Sequence, residues 1–363
     1  MRTSSSRQTS QASVPLRQGA LHDQIDPQLN LDVGWLRWSD LLPLRAIRER
    51  YFLNQPTLGT GQPLGAGFRQ LLPLVRPPQR VFVARSERHP VGYAVFRVVD
   101  PDHRWELEGI GANLGVYEAQ PVWEELVNFG VVSAGLEGAK RLYARVPRKS
   151  GLIPMIRACG FTPYATEMLL SGSFPHPGNA STRVRRQQPS DVWSIHQLYM
   201  ATAPQPVQFA EALTSHHWEI RPRLSSTAVK SGWLIDGGHQ VAAWLRAASR
   251  PEFHVLEFSI LPNHSDLMPE LLDGALADLA TMSPRPVHVL VRGYQQEFVQ
   301  PLIERGFSLH LEQELLIKYT TALARVPGAT VVTFPHEVKD PVGKRVPTFL
   351  NGSSGDPAQG SPF

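Results

Sequence analysis

HPVGYAVFRV occupies residues 89–98, and VAAWLRAA occupies residues 241–248. Each follows another apolar run across a short polar turn: VFVARS (81–86) before ERHP, and GWLID (232–236) before GGHQ. Runs rich in β-branched and aromatic residues that flank tight turns read as strand hairpins. Third strands follow at WELEGI (105–110) and FHVLEFSIL (253–261). Beyond each lies a long helical pattern, at about 120–137 and 266–280, then a strand, RLYARV (141–146) or VHVLVR (287–292). Shorter helices close on Gly-Phe, SGLIPMIRACGF and YQQEFVQPLIERGF. Gly160 and Gly306 read as C-cap glycines, where a left-handed backbone is free of steric cost. Met168-Leu169-Leu170 and Glu314-Leu315-Leu316 lie at one distance past each Gly-Phe. Upstream, Ser39-Asp40 and Ser190-Asp191 each precede an apolar-periodic run, LLPLRAIRERYF and VWSIHQLYM, which predicts capped helices. Six matches in one order mark a duplicated domain, and the lag is too long for a solenoid repeat.

The order is strand, helix, antiparallel strands, helix, strand, helix, strand. A strand, a crossover helix and a further strand give one parallel pair in an otherwise antiparallel sheet. The expected fold is therefore α/β, a mixed sheet with flanking helices, in tandem. Residues 31–172 and 182–322 form the two copies, joined by a Pro/Gly/Ser-rich linker at 173–181. Residues 1–30 and 323–363 have tail composition and are expected to lack regular structure. HPVGYAVFRV, then a helix, then GAKRLYARV, then IRACGF and a closing apolar strand resemble the GNAT superfamily of N-acetyltransferases. The resemblance covers about residues 33–170 and, more weakly, 182–320.

That resemblance implies N-acyl transfer from acetyl-CoA or another acyl-CoA to a small-molecule or protein amine. The family splays its parallel strands around the cofactor and rests the pyrophosphate on the long helix's N-terminus, where free N–H groups and the dipole favour an anion. A gapless alignment backward from GAKRLY puts the family's R/Q-x-x-G-x-G/A motif on Glu118, Ala119, Gln120, Pro121, Val122 and Trp123. Glu118 brings the wrong charge, Pro121 lacks an N–H, and Trp123 fills space that glycine leaves open. This stretch reads as a Pro-started helix whose first turn holds Glu124 and Glu125, so no cofactor is expected in the first copy unless a gapped alignment brings Gly109, Gly111 or Gly115 to the site. In the second copy His264 and Ser265 remain as cofactor-binding candidates ahead of the helix. The family's acidic Tyr corresponds to Ile156 and Leu302, and its helix-opening Asn to Lys149 and Gln295. Glu257 is the candidate base, with burial expected to raise its pKa toward neutral; Glu106 and Glu108 are further candidates. The alternative is a non-catalytic binding or scaffold protein that keeps the fold and has lost the acetyl-CoA site.

Composition bounds the rest. The chain has 363 residues, 42% hydrophobic and 19% charged, with a net charge of +4. No apolar run reaches the ~20 residues of a membrane helix, and the N-terminus lacks a signal peptide's apolar core. One cysteine, Cys159, excludes an internal disulfide and a cysteine-built zinc site, and it reads as a buried, inert thiol. A cytoplasmic protein without a metal is expected. Arg183, Arg185 and Arg186 read as a solvated face, and no nucleic-acid or membrane partner is expected. Trp35, Trp38, Trp193, Trp233 and Trp244 are expected in the core.

Overall fold

The computed structural model describes residues 31–47, 49–53, 79–100, 104–113, 116–174, 181–220, 229–282 and 284–320. The expected tails and most of the expected linker lie outside the described residues. In the first half the chain runs β1 (Leu31–Trp35), α1 (Leu41–Leu44), β2 (Glu49–Phe52), β3 (Gln79–Ser86), β4 (His89–Asp100) and β5 (Arg104–Ala112). It continues through α2 (Val116–Leu136), β6 (Arg141–Pro147), α3 (Ile153–Ala158) and β7 (Thr162–Gly172). The second half opens with β8 (Val184–Arg186), α4 (Val192–Thr202) and α5 (Gln205–Glu211). Next come β9 (Val229–Asp236), β10 (Val241–Ser249), β11 (His254–Ile260), α6 (Leu267–Met282), β12 (Val287–Arg292), α7 (Val299–Glu304) and β13 (Ser308–Tyr319).

Among the described residues all thirteen strands join one sheet, in the order β1-β3-β4-β5-β6-β13-β7-β12-β11-β10-β9-β8, with β2 paired to β5. Only β5 with β6 and β11 with β12 run parallel among the described strands. Each half thus has the expected single parallel pair. The halves also exchange their last strands. β13 lies between β6 and β7 of the first half, while β7 bridges β13 and β12 of the second. Glu167 faces Gln313 across the β7–β13 ladder, so a pseudo-two-fold axis passes between them. The 173–181 boundary divides the sequence but not the sheet.

Helices cover both faces. α2 and α3 pack Val122, Trp123, Leu126 and Ile156 against Phe82, Phe96, Trp105 and Leu107. α6 and α7 do the same for Leu245, Leu256, Val289 and Val291 in the second half. α1 covers Val81, Val83, Tyr93 and Val95 from the opposite face, and α4 and α5 lie on the corresponding side of the second half. The approach of α2 depends on small residues. A Cβ added to Gly130 would sit 2.3 Å from the Phe96 ring, and one added to Gly92 would sit 2.7 Å from Val122.

Gly160 and Gly306 take left-handed φ values of 83° and 87°, as expected of C-caps. Their following phenylalanines, Phe161 and Phe307, are buried. The Ser-Asp signals mark helix starts by a different bond from a forward cap. Asp40 accepts the Arg37 amide at 2.7 Å, and Asp191 accepts the Gln188 amide at 2.6 Å, each reaching back three residues.

Three local expectations are corrected. The run LLPLRAIRERYF is helical only over Leu41–Leu44, and its end becomes strand β2. α2 begins at Val116, so Pro121 sits inside the helix and Glu124 and Glu125 lie in its third turn, not its first. Trp35, Trp38 and Trp193 are exposed, whereas Trp233 and Trp244 are buried. Arg183, Arg185 and Arg186 lie on the surface as expected, where they pair with Glu270, with Asp191 and Asp236, and with Asp278 respectively.

Candidate functional site

The two parallel pairs define the two clefts in which the GNAT fold would hold a cofactor. β5 and β6 pair over Arg104–Leu107 and Arg141–Ala144 and then separate. The freed edge of β5 does not stay open. β2 pairs antiparallel with it, Glu49 opposite Ala112 and Phe52 opposite Gly109, and the Leu53 amide continues the ladder to the Glu108 carbonyl at 2.8 Å. β4 holds the other edge of β5 along its whole length, so β2 occupies the side from which β6 has diverged. Leu53 is fully buried, and the Tyr51 ring meets Trp123 edge-on at 5.4 Å. Trp123 is itself buried, with its indole N–H unpartnered among the described residues. The first cleft is therefore filled by the chain's own backbone, which satisfies the N–H and C=O groups that a splayed strand leaves unpaired.

In the second half β11 and β12 pair over His254–Leu256 and Val287–Val289 before separating. Gln295, in the turn Gly293–Phe298, reaches into the gap. Its amide donates to the Phe258 carbonyl at 3.0 Å, and its oxygen accepts the Arg292 amide at 3.1 Å. Gln295 is buried, and it bridges the strands where they part. His264 and Ser265 lie on the turn leading into α6, half-buried and exposed respectively, and neither lines the central cavity described below.

Glu257 does line that cavity, together with charged residues from both halves. The cavity measures about 320 Å³ and sits beside the pseudo-two-fold axis, on the α4–α5 face of the sheet. Its ion pairs repeat across the axis. Arg97 on β4 faces Glu106 on β5 at 2.5 Å, and Arg246 on β10 pairs with Glu257 on β11 at the corresponding register. On the axis Glu167 receives Arg145 from β6 and Arg292 from β12, each at 3.3 Å, and the Gln313 amide at 2.5 Å. Arg292 also pairs with Glu211 at 3.0 Å, and the Tyr199 hydroxyl donates to Glu211 at 2.9 Å.

These partners set the electrostatics. Burial pushes the Glu257 carboxyl up, but the charges of Arg246 and Lys230 and the hydrogen bond from Arg246 outweigh it, leaving the pKa below its ordinary value. The upward shift expected for a general base is not what this pair produces. Glu106 is lowered in the same way: burial is opposed and overcome by Arg97 and Arg145. Glu108 is the extra residue of a β-bulge, facing Gln79 at 2.6 Å and Arg97 at 2.9 Å. Burial dominates there and raises its pKa. Cys159 is buried, and that burial raises its thiol to about 11, in keeping with an inert side chain. Ile156 and Leu302, at the family's acidic Tyr position, are fully buried in the two cores. Among the described residues no three His, Cys, Asp or Glu side chains gather as a metal-binding set, and no helix is long and apolar enough to cross a membrane.

Sequence reasoning missed Arg97, Arg145, Arg246 and Arg292. A signal was available: Arg97 and Arg246 each interrupt an otherwise apolar strand, at matching places in the two copies. Glu211 and Tyr199 had none, since they reach the site from separate helices.

No family model matches the chain, and a comparison with curated proteins finds no relative. Solved structures do resemble it. A GCN5-related N-acetyltransferase from Sphaerobacter thermophilus superposes with a TM-score of 0.50 at 10% identity, covering 81% of this chain and 96% of that one. A tandem GNAT protein from the clavulanic acid biosynthesis pathway gives 0.49 at 13% identity, covering 80% and 98%. A putative acetyltransferase from Pyrococcus horikoshii gives 0.43 at 12%, covering 84% and 94%. The mixed sheets, each with one splayed parallel pair and a long crossover helix, agree with the first of these: the chain has the fold of the GCN5-related N-acetyltransferases, built twice.

Proposed function

We propose that this chain is a GNAT-fold binding protein that takes no acyl-CoA into either cleft and transfers no acyl group. One observation carries the reading: β2 is hydrogen-bonded along the edge of β5 where a cofactor arm would have to lie. A four-residue ladder with a buried Leu53 anchor is a stronger competitor than solvent, because a ligand must first break it. Trp123, packed against Tyr51 of β2, supports the same reading, as does Gln295 in the second cleft.

The competing reading is N-acyl transfer from an acyl-CoA to an amine in the second copy, with Glu257 as base and His264 and Ser265 at the pyrophosphate. In its favour, the turn before α6 is accessible. Against it, Glu257 is held ionised by Arg246 and is a weak base. The two readings separate in a thermal-unfolding series with acetyl-CoA, since a ligand of the native state raises Tm. Binding in neither cleft leaves Tm unchanged at about 1 mM acetyl-CoA, whereas a site of micromolar affinity adds about 4 kcal/mol there. A rise lost in a His264→Ala, Ser265→Ala double variant would establish the acyltransferase reading instead.

A further inference from the structure

We infer that the cavity beside the pseudo-two-fold axis binds a small organic oxyanion, a carboxylate or phosphate monoester with an aromatic or apolar body. The inference rests on the binding-protein reading above and names the ligand class. Seven basic side chains line the cavity against four carboxylates, and Glu108, just behind the lining, pairs with Arg97 at 2.9 Å, which leaves a surplus of two positive charges in a partly enclosed space. The four carboxylates are already engaged: Glu106 by Arg97, Glu257 by Arg246, and Glu167 and Glu211 by Arg292.

The surplus has unspent donors. Arg104 has no ion pair among the described residues; its guanidinium stacks over Tyr143 at 4.8 Å, and its Nε is buried without a partner. The Nη1 of Arg292 is likewise buried and unpartnered. Arg250 lines the same cavity, and burial, followed by the like charge of Arg97, lowers its pKa against the opposing charges of Glu108 and Glu252. An anion among these guanidiniums would relieve the repulsion and accept their N–H groups, and guanidinium forks match carboxylate and phosphate oxygens geometrically.

The opposite wall fixes the rest of the ligand. Trp218 and Trp244 are buried, and their indole N–H groups are committed to His196 and Gln187. They line the cavity with ring edges and no free donor, and the Arg246 guanidinium lies over both rings at 5.9 and 5.4 Å. A volume of about 320 Å³ exceeds an inorganic ion and lies at the small end of organic-ligand pockets. A charged head at Arg97, Arg104 and Arg250 with an apolar body toward the tryptophans suits both walls.

The experiment titrates the full chain with phenyl phosphate, with phenylacetate and with neutral phenylacetamide, following tryptophan fluorescence. The expected result is saturable quenching by at least one anion, weakened by added salt, with phenylacetamide at least about tenfold weaker. Arg104→Gln should weaken the anion about tenfold, and Arg104→Lys, which keeps the charge but loses the fork and the stack on Tyr143, should bind between Arg104→Gln and the unaltered chain. Should Arg104→Gln fail to fold by circular dichroism, Arg250→Gln with Arg250→Lys serves as the second pair. Phenylacetamide binding as tightly as the anions, or no saturable response to either anion, overturns the inference. Acetyl-CoA is titrated in parallel by calorimetry. Binding of acetyl-CoA that phenyl phosphate does not displace would strike down the closed-cleft reading while leaving the cavity's anion binding to stand or fall on its own titration.

Discussion

Replacing Tyr51 with proline tests whether β2 holds the first cleft closed. The Leu53 amide bonds to the Glu108 carbonyl, so the Tyr51 amide, two residues back, points to the same edge of β5. Proline has no N–H to give there, and the partner carbonyl, left buried and unpaired, costs about 1–3 kcal/mol. A strand of four residues has little else to hold it. Its release also takes Leu53 out of the core, where it is fully buried, for a further cost of about 2 kcal/mol. The edge-on contact of Tyr51 with Trp123 adds about 1 kcal/mol. The expected loss is about 4–6 kcal/mol, a large part of a domain's net stability. Urea unfolding measures the total. Hydrogen exchange locates it, because a peptide spanning 104–113 should lose protection at the amides that β2 covers while those bonded to β4 keep theirs. A loss under about 1 kcal/mol with unchanged exchange across 104–113 would refute the reasoning.

Three further outcomes follow from the same structure. Glu87 and Arg88 hold the β3–β4 turn at φ 49° and 73° without glycine, so Glu87→Asn with Arg88→Gly should stabilise by about 1 kcal/mol in thermal unfolding. Glu106 and Glu257 have depressed folded pKa values; each adds stability above its unfolded pKa of about 4.3, lost as the pH falls through the folded value. The urea midpoint should therefore drop on acidification below about pH 4, and more shallowly in Glu106→Gln. Residues 31–172 expressed alone should fail to fold cooperatively, since β6 and β7 would both lack β13; co-expression with 182–322 should restore a soluble complex, and a cooperative melt of the isolated fragment would contradict the exchange.

Local order was legible because it is written in local periodicity. The hairpins around ERHP and GGHQ, the crossover helices and the Gly160 and Gly306 caps each depend on residues a few positions apart. The exchange of β7 and β13 depends on which distant edge each strand finds, and both closing strands carry similar apolar runs that suit either neighbour. RERYF illustrates the same limit within one copy. Its pattern continues a helix as well as it makes a strand, and the unpaired edge of β5, some sixty residues downstream, decides the matter. At the first cleft the motif alignment singles out Pro121 and Trp123, while β2, the element paired to the freed edge of β5, has a sequence that reads as helix. For the cavity, Glu257 is legible as a carboxylate on the third strand, while Arg246, which lowers its pKa, lies on the neighbouring strand within an apolar run.

Isothermal titration of acetyl-CoA into the full-length chain tests the central claim most directly. With β2 laid along β5 and Gln295 bridging β11 and β12, the account predicts no saturable heat at acetyl-CoA concentrations up to about 1 mM, the level at which a binding free energy of about −4 kcal/mol would already register. A saturable isotherm at micromolar affinity, abolished by substitutions in the cleft lining and not by those in the central cavity, would contradict it.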